Sequence, residues 1–579
     1  MIKLSNDRKI NALIISLILI FLSPVFLKSQ EKKKIQFTGA ARSEISNTEI
    51  SVKDEVEDTV TARKKLGGYA LIDLGVNIFP NKNTEIMGMF RINNKLGGFY
   101  GGGVNIDVRQ LWVKGVIANV VRYQLGDINY KLTPYTFYNH DEDIQLNLPS
   151  VFNLQRDILN YETFYIKNTW RQQGATADFG LEFSKFIKEI KFNNFINRIN
   201  ISDFNATSDR FFGGGNIGIQ QSNNLYLGLN FVSLFDLIGT SAQKSEFRNN
   251  VSSINAEYKI SKEKWEASAS METGSSYYSN IADSLFPKIN GDFLNSALSF
   301  SHKPSGIKFQ LGVLYTSPDF RSMGAQSKRI NYNSTLSSYD RYTNQQILRS
   351  VSLYDMVSDA KIYNRSINNS LMNFNPAYNN VLPFGVATFN RQGLYLKTTI
   401  APKNEYFKIS ADIYSLTEVK GQGTKLLKSF LYTNANTEIN LNKIFKLKRN
   451  LKISSGVTIQ NTTRNSEIEF EKVNLNSTMV SAGIEYEFYE NFDLIGGYFS
   501  NNANGNEQMA SRNIYTEVTD FNEYKINLSE TMVGGGLRYR FSEKIFLSAL
   551  YQQFDYRDKI QPNLSYGINQ FLIVFNMKY

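Results

Sequence analysis

The chain has 579 residues, 64 Lys and Arg against 53 Asp and Glu, and a formal net charge of +11. It contains no Cys, which excludes a disulfide framework and thiolate metal sites, and its basic residues are scattered among acids, so nucleic acid is not implied. Aromatics at 13 %, 38 Gly and only 11 Pro suit many half-buried strands better than long helices.

The first element is a leader. Lys3, Arg8 and Lys9 form a basic head, 12–27 is apolar, and Ser29-Gln30 precede a charged EKKK run. This pattern predicts a secretory signal peptide over 1–30, cleaved near Gln30, with a mature chain over 31–579. The apolar run is short for a membrane span and contains Pro24. No later apolar run reaches 18 residues, so an exported chain of this kind is either released or inserted as a β-barrel.

From there the chain reads as strands. The first candidates are 35–42, 67–78, 85–97, 104–117, 120–132, 161–171, 175–185 and 209–221, with 186–208 unassigned. Further on, alternation is regular. Leu225, Leu227, Leu229 and Phe231 share a face, as do Ile254, Ala256, Tyr258 and Ile260 against Glu257 and Lys259. Val480, Ala482, Ile484, Tyr486 and Phe488 do so against Glu485 and Glu487, and Val533, Leu537, Tyr539 and Phe541 against Arg538 and Arg540. Short polar connections (222–224, 262–264, 304–306, 404–405, 446–449, 490–491, 542–544) alternate with long ones (237–249, 280–290, 321–392, 419–427, 463–474, 503–522, 557–564). A sandwich, β-helix or propeller also alternates apolar and polar residues, but it has no need for every other connection to be long. The expected fold is therefore all-β: a transmembrane antiparallel up-and-down barrel of about 22 strands, with short periplasmic turns and long extracellular loops. An even strand number puts both termini on the turn side.

The chain ends NQFLIVFNMKY, in which Phe571, Ile573, Phe575, Met577 and Tyr579 share one apolar face. This end resembles the terminal assembly signal of bacterial outer-membrane barrels, porin-like in type. The resemblance implies recognition by the barrel-assembly machinery, residence in outer-membrane lipid, and closure of the last strand onto the first. The Asn-, Lys- and Ile-rich style, with a leader ending in Gln, also looks like a Bacteroidota protein.

Candidate chemistry is sparse. Ser301 and His302 are adjacent and face opposite ways on a strand, so a Ser–His hydrolase is not expected. His140, Asp141, Glu142 and Asp143 cluster without a cation-loop signature and read as a solvated loop. The GGG runs at 101–103, 213–215 and 534–536 have no helix after them, so they mark bends or places where a loop packs on the wall, 534–536 above all. No enzyme, cofactor or metal is expected.

The functional residues proposed from sequence line the pore. Lys114, Arg122, Asp127 and Lys131 share the lumen side if Gly126 shifts the phase, and Arg538 and Arg540 stand opposite Glu485 and Glu487 as wall pairs. About 35 residues before the second strand leave no room for a separate N-terminal plug domain, so the bore must be filled by loops, with 321–392 the main candidate. The expected function is an outer-membrane channel for small hydrophilic solutes, with basic lumen residues and a constricting loop 321–392. The alternative is a non-enzymatic scaffold or secretion-associated barrel that holds a protein partner.

Overall fold

The computed structural model describes residues 34–52, 64–95, 104–138, 149–163, 172–202, 204–205, 208–242, 247–280, 288–326, 376–512 and 518–579. The first strands are β1 (Ile35–Val52), β2 (Lys64–Asn81), β3 (Thr84–Lys95), β4 (Asn105–Ile117), β5 (Val121–Ile128), β6 (Gln172–Glu182) and β7 (Glu189–Asn200). β8 (Arg210–Gln220), β9 (Leu225–Asp236), β10 (Phe247–Ser261), β11 (Trp265–Asn280), β12 (Ile289–His302), β13 (Ile307–Thr316) and β14 (Arg391–Ile400) follow. The wall is completed by β15 (Phe407–Thr417), β16 (Ser429–Asn440), β17 (Leu451–Arg464), β18 (Val473–Tyr489), β19 (Phe492–Arg512), β20 (Val518–Ser542), β21 (Ile545–Asp558) and β22 (Tyr566–Lys578). Among the described residues three α-helices interrupt the strands: α1 (Ser150–Thr163), α2 (Pro376–Asn379) and α3 (Leu441–Ile444).

Each strand pairs antiparallel with the next, and β22 pairs back onto β1, so the sheet of 22 strands is closed. Closure runs to the last residue. Gly39 N–H donates to the Tyr579 carbonyl at 2.9 Å, and Tyr579 N–H returns a bond to the Gly39 carbonyl at 3.0 Å. A closed ladder leaves no strand edge, which a wall in hydrocarbon requires because an unpaired peptide group there has no water to turn to.

Burial is inverted relative to a soluble fold. Leu227, Leu229, Phe231, Ile254, Val480, Ile484, Val533 and Leu537 are all exposed, while Asp73, Arg91, Asp493, Glu530 and Gln552 are buried. The apolar parity of each strand faces outward toward lipid, and the mixed parity faces the lumen. On β22 the outward set is Phe571, Ile573, Phe575 and Met577, while Ile568, Gln570, Leu572 and Val574 are buried on the lumen side. Connections at 82–83, 118–120, 490–491 and 543–544 gather at one end, and those at 418–428, 465–472 and 559–565 lie at the other.

Three expectations need correction. The long connection expected over 503–522 is mostly wall, because β19 runs to Arg512 and β20 starts at Val518. The strand expected at 161–171 does not begin at 161: α1 runs to Thr163, and 164–171 lies outside the described residues. Conversely, the unassigned 186–208 contains β7. One strand too many and one too few cancel in the count of 22. The leader 1–30, the GGG at 101–103 and the cluster at His140 also lie outside the described residues. Among the described residues no helix is long and apolar enough to cross a membrane.

Candidate functional site: the lumen wall and its inward segments

The lumen is occupied from within by stretches of the chain itself. The first belongs to the β5–β6 connection. Pro149 opens α1, and its carbonyl accepts the Phe152 and Asn153 N–H groups at 2.9 and 3.1 Å. Val151, Leu154 and Ile158 recur at helical spacing, and Phe152 adds bulk beside them. This face packs on the lumen side of β18 to β22, against Met479, Ile495, Phe499, Met532, Leu550, Phe554, Leu572 and Val574.

The seat for α1 is made of missing side chains. Gly483, Gly497 and Gly534 form one cross-strand row over β18, β19 and β20. A Cβ on Gly483 or Gly497 would lie 2.6 or 2.5 Å from the Pro149 Cβ, and one on Gly534 would lie 2.8 Å from the Phe152 ring. The 534–536 run is therefore where an inward segment touches the wall, as its sequence suggested. That segment is α1, whose apolar spacing the strand reading of 161–171 passed over.

A second group fills the bore beside β7 to β12. Tyr135 and Phe137 of the β5–β6 connection, and Phe320, Met323, Phe384 and Phe389 of the β13–β14 connection, pack with Phe195, Phe212, Phe247 and Phe293 of the wall. Tyr135 stacks on Phe293 with ring centroids 3.8 Å apart. Polar bonds fix the register of this contact. Arg321 N–H donates to Ser276 Oγ at 2.9 Å, Met323 N–H donates to Asn249 Oδ1 at 3.0 Å, and Ser322 Oγ donates to the Thr136 carbonyl at 3.3 Å.

The far end of the same connection, 376–390, is pinned to β17 through β20. Tyr378 OH donates to Glu530 Oε1 at 2.6 Å, Asn380 Nδ2 donates to Glu507 Oε2 at 2.6 Å, and Ser477 Oγ donates to the Ala377 carbonyl at 2.7 Å. Lys428 pairs with the same Glu507. The described ends of 321–392 thus fold inward, while 327–375, with the runs 347–357 and 370–374, lies outside the described residues.

The sequence-selected residues separate into three situations. Lys114 and Arg122 line a cavity of about 430 Å³ at the short-turn end, together with Lys82, Glu85, Gln124 and Asp178. Lys114 Nζ lies 2.9 Å from Glu85 and 4.4 Å over the Trp112 ring, and Arg122 stands directly across from Asp178. Gly126 has a φ of +98°, but the pairing of β5 with β4 and β6 runs through it without a shift of register, so the expected change of phase is not made; Asp127 and Ile128 after it are both buried. The Asp127 carboxylate accepts the Leu111 N–H at 2.7 Å and so serves the wall itself. Lys131 is exposed, beyond the end of β5.

Arg538 and Arg540 meet Glu485 and Glu487 as expected, with a fifth member that the sequence reading missed. Asp493, on the strand between them, is fully buried and 2.9 Å from Arg538 Nε and 3.0 Å from Arg540 Nη2. Three carboxylates thus hold two guanidiniums on the lumen side. Only the pairing of β18, β19 and β20 brings Asp493 between the two arginines, since alternation alone gives no cross-strand register. His302 Nδ1 lies 2.7 Å from Ser305 Oγ at the 303–306 turn, not from Ser301.

No protein-family model matches the chain, and no curated protein matches it in sequence. Among solved structures it is similar to OccK11 (OpdR) of Pseudomonas aeruginosa, at 9 % identity, 94 % of this chain and 96 % of that one, with a TM-score of 0.33. It is also similar to the outer membrane channel DcaP of Acinetobacter baumannii, at 8 % identity over 96 % and 100 % of the two chains and a TM-score of 0.26. The P pilus usher (PapC) translocation pore aligns at 7 % identity over 93 % and 100 %, with a TM-score of 0.39. At such scores the fold rests on the strand pairing of this chain, not on these neighbours.

Proposed function

We propose that the chain is an outer-membrane channel for small hydrophilic solutes whose bore is narrowed by its own inward segments. The observation that carries this reading is the two-faced wall: a closed 22-stranded ladder, apolar outside, with ionised and amide side chains inside. A barrel of this strand number encloses more space than wall side chains can fill. Here part of that space is taken by 129–138, α1, 317–326 and 376–390, and the cavity beside Lys114 and Arg122 opens at the short-turn end. In this reading the leader exports the chain, the β22 end is recognised by the barrel-assembly machinery, and the short turns face the periplasm. Lys114 and Arg122 contribute to the periplasmic mouth, and 321–392 contributes to the constriction together with α1.

Purified protein in planar bilayers tests the proposal. Stepwise conductance is expected, rising when α1 is removed. A bilayer that stays silent for both proteins, with another protein co-purifying, supports instead a scaffold barrel that holds a protein partner.

A further inference from the structure

Around much of the lumen, toward the short-turn side, the wall is lined with amides and hydroxyls. Asn216 Nδ2 donates to Asn230 Oδ1 at 2.7 Å, and Asn230 Nδ2 donates to Asn255 Oδ1 at 2.9 Å and to Ser253 Oγ at 3.0 Å. Ser253 Oγ in turn donates to Glu272 Oε1 at 2.8 Å. Asn295 stands across from Glu272 and accepts from Tyr395 OH at 3.0 Å. Tyr395, Tyr414 and Tyr432 continue in one cross-strand row. Beyond them Asn434 Oδ1 accepts from Thr458 Oγ1 at 3.0 Å and from Asn436 Nδ2 at 3.3 Å. The alternate residues Leu229, Ile254, Met271, Leu294, Leu394 and Leu431 are exposed on the outer face, which places this row inside.

Many charges of the same region are matched by opposite charges. Lys259 lies 2.8 Å from Glu266, Lys452 lies 2.8 Å from Glu438, and Lys191 lies 2.9 Å from Glu189. Lys397 stands across from Asp412, and Arg538 and Arg540 are held by three carboxylates. Glu272 is engaged by Ser253 and Thr133. An ion passing such a wall loses hydration and meets little unbalanced charge in return. A neutral hydroxyl meets both donors and acceptors, because each amide carries two donors and two acceptor lone pairs. Asn216, Asn255, Asn295, Asn434 and Asn436 are only half-buried, so part of each amide is open to the bore.

We infer that the lumen selects uncharged polyhydroxylated solutes, short oligosaccharides, over ions of either sign. This rests on the channel reading. In a potassium chloride gradient across a planar bilayer, the two ions are expected to permeate within about two-fold of each other. Maltotriose on one side should reduce the current. Asn230→Asp with Asn255→Asp keeps the side-chain size and adds charge; it should weaken the maltotriose effect several-fold and introduce a cation preference, with heat-modifiable migration confirming the assembled barrel. A roughly ten-fold preference of the natural chain for one ion, or a current indifferent to maltotriose, overturns the inference and leaves the channel standing. A silent bilayer, together with liposomes that swell in no solute, overturns both.

Discussion

At the scale of single residues, two positions decide how the wall and its filling fit together. Asp493 is fully buried between Arg538 and Arg540, each of which keeps part of its surface open. Asp493→Leu leaves two guanidiniums with only Glu485 and Glu487 and is expected to cost about 2 kcal/mol, below the range for a wholly buried pair because solvent screens the arginines. The readout is a lower thermal unfolding midpoint in detergent. Asp493→Asn, which keeps an acceptor, should lose less. Gly534 works by absence: the Phe152 ring takes the space that a side chain would fill. Gly534→Leu should push α1 off its seat while the strand stays paired, because no positive φ holds this glycine. A larger single-channel conductance with unchanged barrel yield is the expected result.

Among the elements, β22 and α1 carry opposite duties. β22 presents Phe571, Ile573, Phe575 and Met577 to lipid and closes the sheet through Tyr579. Phe575→Asp with Tyr579→Asp puts two charges on the lipid-facing parity, at a cost of about 2–4 kcal/mol per charge at the bilayer midplane and less toward the interface. Loss of the heat-modifiable form is expected, and normal yield would contradict the assembly role of this strand. α1 touches no lipid and closes no ladder, so the barrel should survive without it. Replacing 149–163 by a Gly/Ser linker should raise conductance several-fold at unchanged unfolding cooperativity. The pinned segment 376–390 differs, because its bonds to Glu507 and Glu530 tie it to charged wall residues. Its removal takes a hydrogen-bond donor from each acid, leaving Glu507 to Lys428 and Glu530 to Asn501, and should lower stability as well as widen the bore.

For the whole molecule, the alternation of connections defines its two ends. Epitopes inserted near 470 or 510 should bind antibody on intact cells, and epitopes at 262–264 or 543 should not. A tag at 543 labelled from outside would invert the barrel. Much of this architecture was legible from particular residues. The outward parity of Leu225–Phe231, Val480–Phe488 and Phe571–Tyr579 is where alternation put it, and the wall pairs of Arg538 and Arg540 were foreseen. The less regular region 129–208 is less legible: alternation places a strand start at 161–163, where α1 ends, and leaves β7 unassigned.

What the sequence determined by itself is the wall. Strand parity is a local property with period two, and a turn of two or three polar residues fixes antiparallel neighbours without reference to the rest of the chain. What the tertiary structure alone decided is the interior. α1 finds a glycine row on strands more than 300 residues away in sequence, Asp493 enters a charge cluster only once β18, β19 and β20 are in register, and the amide row exists only because β8 through β17 are aligned side by side. Lumen side chains answer to partners brought in by closure, whereas lipid-facing side chains need only be apolar. The lipid face can therefore be read from the sequence, while the contents of the bore depend on the closed structure.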